Sequence, residues 1–242
     1  MSNENLDGPY EKIFQLIVEG TYLPGQRLIE QRIAEELKVS RTPVREAFRR
    51  LETAGLIVTV RNRGAVVREV SRRELVDIYE LRGRLEAFAA ERAAQRATEE
   101  ELLFMEEAVE GFGRTVELAK TFDQEAIREL AQWNRKFHGQ ILASARHQRL
   151  EELLGLVAAA PWVFQSFQKF NRDDFVRSDQ FHRLILIAVR AGDADRASRL
   201  VMEHIAQGRD VLLHNLDMAS LQRWTAPGTD QGYSAIVGSI DD

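Results

Sequence analysis

The chain has no cysteine among its 242 residues. A disulfide framework, a cysteine-ligated zinc and a thiol nucleophile are therefore excluded, and a reducing compartment is permitted. No apolar run approaches the roughly 18 residues that a membrane span requires. The opening residues, Met1-Ser2-Asn3-Glu4-Asn5-Leu6-Asp7, lack a basic segment followed by an apolar one. No secretory signal is visible, and a cytoplasmic location away from membranes is expected. No strand pattern appears after residue 70, and no repeat of fixed period runs through the chain. What is present is ordinary for a globular protein: 44% hydrophobic and 29% charged residues, enough to build a real core. The length suits two domains.

Charge is unevenly spread. The net charge is −5 over the whole sequence. Residues 38–68 carry eight basic groups (Lys38, Arg41, Arg45, Arg49, Arg50, Arg61, Arg63, Arg68) against Glu46 and Glu52, a balance of +6. Residues 71–242 carry 22 basic and 28 acidic groups, a balance of −6. A short basic stretch on an acidic chain suggests a local polyanion site; a solvated helix face clusters charge in the same way.

The apolar spacing predicts a first helix through Tyr10, Ile13, Phe14, Leu16 and Ile17, broken by Pro24-Gly25. A second runs from Leu28 to Leu37. Ser40 is placed as the N-cap of a third, with Pro43 in its first turn and Gly55 just past its end. Ile57-Val58-Thr59-Val60 and Ala65-Val66-Val67 flank Arg61-Asn62-Arg63-Gly64 and predict a hairpin. Beyond Val70 the period is helical, with segments at about 72–97, 99–119, 123–145, 147–165, 174–191 and 193–216. Ser71/Glu74 and Thr98/Glu101 have the spacing of capping boxes. The expected fold class is mostly α. A winged helix-turn-helix of three helices and a β-hairpin (residues 1–70) joins an all-α antiparallel bundle (71–216). A tail, 217–242, is expected to be mobile.

Three helices followed by a hairpin is the order of a winged helix-turn-helix, in which the start of the second motif helix meets base edges in the major groove. Arg41, Thr42 and Arg45 occupy that position, and Arg41 and Arg45 are i,i+4 neighbours on one face. An arginine fork suits guanine or phosphate. Ser40 adds a hydroxyl, and the tip Arg61-Asn62-Arg63-Gly64 offers cations and a close backbone approach. Pro24-Gly25, Val39-Ser40-Arg41-Thr42-Pro43-Val44-Arg45-Glu46-Ala47, Gly55-Leu56 and Asn62-Arg63-Gly64, at these spacings over roughly residues 9–68, resemble the DNA-binding domain of the GntR superfamily of bacterial transcription regulators. The resemblance implies DNA contacts from Arg41, Thr42, Arg45 and Gly64, with Arg63. Gln31 falls where some members place a phosphate contact. Arg49 and Arg50 are candidates for phosphate or an exposed flank.

Further along, Asn134 and His138 are one turn apart on one predicted helix, while His182 and His204 lie on the last two. Three histidines and an oxygen donor inside a bundle suit a divalent metal. Buried histidines also serve as satisfied polar groups of a core. Asn134-x-x-Phe137-His138, Phe181-His182-x-x-Ile185, Gly192-Asp193 and His204 resemble the helical effector domain called FCD, of the FadR subgroup, over about residues 72–216. That resemblance implies a metal set of Asn134, His138, His182 and His204, with Asn134 standing where many members have Asp. Zinc, nickel or manganese would suit it. An amide brings no negative charge, so weaker metal binding is expected. The resemblance also places Arg82, in Tyr79-Glu80-Leu81-Arg82-Gly83-Arg84-Leu85-Glu86, on the cavity as a partner for a carboxylate effector; an ion pair to a glutamate within the bundle is the alternative. Trp133, Trp162, Phe164, Phe167 and Phe170 are expected mainly in the core, with one or two walling the cavity. His147, at the start of a predicted helix, is expected to be a cap or a surface residue. The sequence thus implies a homodimeric, ligand-responsive repressor on a pseudo-palindromic duplex operator. A metal-independent regulator is the alternative, and a metalloenzyme is disfavoured because no HExxH-like pair is present.

Overall fold

The computed structural model describes residues 8–18, 20–157 and 167–215. It is mostly helical, with one small sheet near the N-terminus. Helices α1 (Pro9–Val18), α2 (Glu30–Leu37) and α3 (Arg41–Thr53) precede strands β1 (Ile57–Val60) and β2 (Gly64–Val67). Then come α4 (Arg72–Arg96), α5 (Glu99–Leu118), α6 (Gln124–Ser144), α7 (Gln148–Val157), α8 (Arg172–Arg190) and α9 (Ala194–Asn215).

The first three helices close over one apolar cluster. Ile13 and Ile17 of α1, Ile33 and Ala34 of α2, and Val44, Ala47, Phe48 and Leu51 of α3 meet Ile57 and Val67 of the hairpin. Each fully buried Ile, Val, Leu or Phe side chain among them contributes roughly 1.5–3 kcal/mol. α3 stops in a Schellman turn. The Leu56 amide donates to Leu51 O and the Gly55 amide to Glu52 O, both at 2.9 Å. Gly55 has φ +69°, which a side chain resists. The strands pair antiparallel in the register Ile57↔Val67 to Val60↔Gly64. Residues 25–28 add a third extended segment that the sequence does not announce. The Val67 amide donates to Gln26 O at 2.9 Å and the Leu28 amide to Ala65 O at 2.8 Å. That pairing holds Leu28 outside the helix, so α2 starts at Glu30 rather than Leu28.

Ser40 sits at the N-cap position of α3 with extended backbone, but its hydroxyl makes no capping bond. The turn between α2 and α3 is instead fixed by Lys38 at φ 56°. There the Val39 amide donates to Ala34 O at 3.0 Å. Ser71 caps α4 by accepting the Glu74 amide at 3.1 Å. The reciprocal half of that box is missing because the Glu74 carboxylate pairs with Arg68. The box at Thr98 and Glu101 is complete. α8 begins two residues earlier than its apolar spacing suggests, because Asn171 and Asp174 form a capping box of their own.

In the bundle α4 lies along α9 and also touches α6, α7 and α8; α5 packs on α6 and α8. α4 can serve as this axis because Ala87, Ala90 and Ala93 on its buried face let neighbours approach closely. The last part of the expected helix 147–165, Trp162, Phe164 and the tail 217–242 lie outside the described residues. Phe167 is buried against Phe112 and Phe175, with Phe170 and Trp133 packed around them. Replacing Thr98 by Ala removes one half of the complete box. It should lower stability by about 1 kcal/mol and the thermal midpoint by about 2–4 °C in calorimetry; an unchanged midpoint would contradict the capping role.

Candidate nucleic-acid interface and candidate metal centre

The face of α3 that turns away from the apolar cluster carries Arg41, Thr42, Arg45 and Arg49, all exposed. Its inward positions Val44, Ala47, Phe48 and Leu51 fix that orientation, since positions three and four apart share a side of a helix. Arg41 and Arg45 converge on Glu30, the first residue of α2. Arg41 Nη2 lies 3.3 Å from Glu30 Oε2, and Arg45 Nη2 lies 3.0 Å from the same oxygen. Gln31 is exposed on α2 and donates to Glu35 at 3.2 Å. Arg50 does not join this face. Its guanidinium stacks 3.8 Å from the Tyr10 ring centroid and reaches Glu11 on α1. At the hairpin tip Arg61 and Arg63 are exposed, and Asn62 and Gly64 have positive φ, 64° and 76°. A side chain at Gly64 would meet nothing within 4 Å, so its glycine answers to the backbone angle and not to crowding.

In the bundle α6, α8 and α9 bring three histidines to one point. His138 Nε2 is 3.3 Å from His204 Nε2, and His182 Nε2 is 3.2 Å from the same atom. A nitrogen from each lies within 4.8 Å of the others. His182 is fully buried, and its ring sits against Phe112 and Phe137 with centroids at 4.7 and 4.8 Å. Burial first, and then the neighbouring rings, hold His182 and His204 well below the usual histidine range. Both are neutral, so each has one N–H and one lone pair. Their Nδ1 atoms are buried without a hydrogen-bond partner among the described residues.

Behind His138 stands a charge that the sequence does not single out. Glu86 Oε2 lies 2.9 Å from His138 Nδ1. Glu86 Oε1 accepts from Arg82 Nε at 2.5 Å. Burial alone would raise the Glu86 carboxyl; Arg82 and then His138 outweigh it and bring it down to about 2. Arg82 is therefore engaged in the bundle ion pair, the alternative that its spacing left open. With Nδ1 facing a carboxylate, His138 turns its Nε2 toward the cluster. Asn134 is buried one turn earlier on α6.

The donor set fits a divalent ion. Nitrogen ligands at roughly 2.0–2.1 Å from a tetrahedral ion stand about 3.3–3.4 Å apart, close to the two separations made by His204 Nε2. A single N–H on His204 serves one of its two neighbours well, whereas a cation serves all three lone pairs. Phe112 and Phe137 line the cluster; Trp133 packs against the core as expected and its ring N–H donates to Glu129 at 3.3 Å. His147 caps α7, its Nδ1 accepting the Leu150 amide at 3.2 Å.

Comparisons with known proteins agree with this architecture. The pattern of the family described as "Bacterial regulatory proteins, gntR family" matches residues 8–67, and that of the FCD domain matches residues 77–207. The chain is 27% identical over 208 residues to the Nta operon transcriptional regulator of Aminobacter aminovorans, covering 84% of this chain and 92% of that one. It is 28% identical over 211 residues to the galactonate operon transcriptional repressor of Escherichia coli, covering 78% and 89%. The solved structure of E. coli McbR/YncC shares the fold, with a TM-score of 0.74 at 24% identity over 86% of this chain and 97% of that one. A winged helix ahead of an FCD bundle defines a transcriptional regulator, not an enzyme. The chain belongs to the GntR family of bacterial regulators, with an FCD domain as its helical half.

Replacing Glu86 by Ala strands Arg82 in the bundle without its carboxylate. Urea unfolding should show a loss of about 3–5 kcal/mol, as for other broken buried pairs. The double change Arg82→Met, Glu86→Leu should recover most of it. A Glu86→Ala midpoint equal to wild type would show that Arg82 does not depend on that carboxylate.

Proposed function

We propose that this regulator is a homodimeric repressor whose operator affinity is relieved by a small carboxylic acid bound in the helical half beside a divalent ion. In this scheme residues 1–70 read DNA, and residues 71–216 bind the effector and carry the dimer contacts. The convergence of His138 Nε2 and His182 Nε2 on His204 Nε2, at 3.3 and 3.2 Å, carries the proposal for the metal. His138, His182 and His204 would hold the ion, with the Asn134 amide oxygen as a fourth donor. The ion supplies a Lewis acid to which a carboxylate binds. Glu86 orients His138 and brings the negative charge that Asn134 does not. Zinc, nickel and manganese all accept such a set, with imidazole favouring the first two.

On the DNA side, Arg41, Thr42 and Arg45 are assigned to base edges and nearby phosphates, with Ser40 and Gln31 at the flanks. Arg49, Arg63 and the Gly64 backbone are assigned to the sugar-phosphate edge. The +6 balance of residues 38–68 supports that assignment. Two such heads related by a two-fold axis match a pseudo-palindromic operator. Repression is supported by relatives whose names call them repressors, and one of these is named for the operon of galactonate, a sugar acid. The effector releases DNA only by binding one arrangement of the two heads better than the other.

Two measurements test this. Elemental analysis of protein purified without chelator or polyhistidine tag should find about one equivalent of metal, lost in His182→Ala; none after dialysis against zinc, nickel and manganese would overturn the metal. Arg41→Ala should abolish specific duplex binding while sedimentation still shows a dimer. Normal binding by that variant would remove Arg41 from the interface.

A further inference from the structure

Glu30 is an acidic group set against the two arginines at the start of α3, and its bonds are directional. Its two carboxylate oxygens take Arg45 along one edge, Oε1 from Nε at 3.2 Å and Oε2 from Nη2 at 3.0 Å. Oε2 also accepts from Arg41 Nη2 at 3.3 Å. The arginine side chains stay 60% and 54% exposed, while Glu30 is 27% exposed behind them.

A guanidinium carries five N–H donors in one rigid plane. Glu30 uses the edge formed by Nε and Nη2 of Arg45. The end edge, formed by Nη1 and the second proton of Nη2, has no partner among the described residues. That edge has the geometry that meets guanine O6 and N7 as a fork. A long side chain that is already held also loses less rotamer freedom on docking than one that swings freely. The carboxylate has a second effect. Facing a duplex, it repels phosphate unless both arginines remain with it. Contacts that pull Arg41 and Arg45 sideways to the backbone leave Glu30 uncompensated, whereas contacts made straight ahead to a base edge do not.

We propose that Glu30 is a specificity-setting positioning residue: it braces Arg45 and Arg41 from behind so that they read base edges and penalises sequence-blind docking. The inference rests on the assignment of both arginines to DNA.

The test uses the full-length chain and a duplex selected by the wild type from a random pool, beside a scrambled duplex of equal length. Dissociation constants are measured for both at one salt concentration. In Glu30→Gln the ratio of selected to scrambled affinity should fall by about tenfold, the scale of one lost bidentate base contact. Binding to the scrambled duplex should be unchanged or tighter, and the thermal midpoint unchanged. Glu30→Ala should behave alike, and Glu30→Asp should fall between. A ratio that drops less than threefold in both Gln and Ala variants overturns the proposal. So does an equal gain on both duplexes, which would make Glu30 a simple repulsive brake. Arg41→Ala and Arg45→Ala serve as controls. If both keep wild-type affinity for the selected duplex, the arginine assignment itself fails, and the bracing role fails with it for a distinguishable reason.

Discussion

A carboxylate in the middle of a helical bundle needs a reason to be there, and Glu86 has two. Arg82 lies one turn before it on α4, and His138 faces it from α6. Moving such a group out of water costs several kcal/mol unless its oxygens are met. Here Oε1 accepts from Arg82, and Oε2 lies at ion-pair distance from His138, on helices that pack against each other, though without a hydrogen bond of its own among the described residues. The arrangement in turn settles the histidine cluster. With Nδ1 of His138 held by Glu86, Nε2 is the atom left to face His204 and His182. Shift α4 against α6 and the ion pair, the His138 tautomer and the cluster geometry change together. The aromatic rings of Phe112 and Phe137 keep His182 dry and neutral, so it faces the cluster without adding a charge to it.

At the other end of the chain the constraint is backbone geometry rather than charge. Lys38 takes a left-handed conformation that favours glycine. The turn it makes, together with the Schellman stop at Gly55, fixes where α3 begins and ends. Arg41 is the first residue of that helix and Arg45 lies one turn on. Their placement is therefore a consequence of the turn and of the apolar positions beneath, while Glu30 sets which way the guanidinium planes face. Backbone turn, core packing and ion pair each fix a different degree of freedom of the same two side chains.

Much of this was legible in the sequence because it is local. Helix periods, the hairpin and the Thr98 box each span a few residues, and among the described residues the structure places them where spacing predicts, apart from the starts of α2 and α8. The three histidines were legible as a set through resemblance, and the bundle does bring them together. What the sequence hid is of two kinds. One is pairing across long separations: Glu30 with Arg41 and Arg45, and residues 25–28 with β2. No short-range spacing reports such contacts. The other is competition for a partner. Ser71 and Glu74 have the spacing of a full capping box, yet Arg68 takes the carboxylate. Ser40 has the identity of a cap, yet its hydroxyl stays free of the helix amides. Arg82 shows the limit from the opposite side: its i,i+4 distance to Glu86 was in plain view, but spacing alone does not say whether a buried arginine faces a glutamate or a ligand.

The same ion pair bears on how the two halves of the molecule communicate. β2 ends at Val67, and α4 begins at Arg72 after a short link stapled by Arg68 and Glu74. Arg82 and Glu86 lie ten and fourteen residues into that helix, about 15–21 Å along its axis at the α-helical rise. Phe14 of α1 adds a second link, because it packs against both the N-terminal cluster and the aromatic cluster around Phe112. The wing is thus attached to a helix whose own position depends on a buried charge pair. Packed interiors respond to displacement by switching between arrangements and not by stretching. Under the proposed function, an anion drawing on Arg82 or on the histidines competes with Glu86 for the same partners. The first element to feel that competition is α4, which carries the wing at its other end.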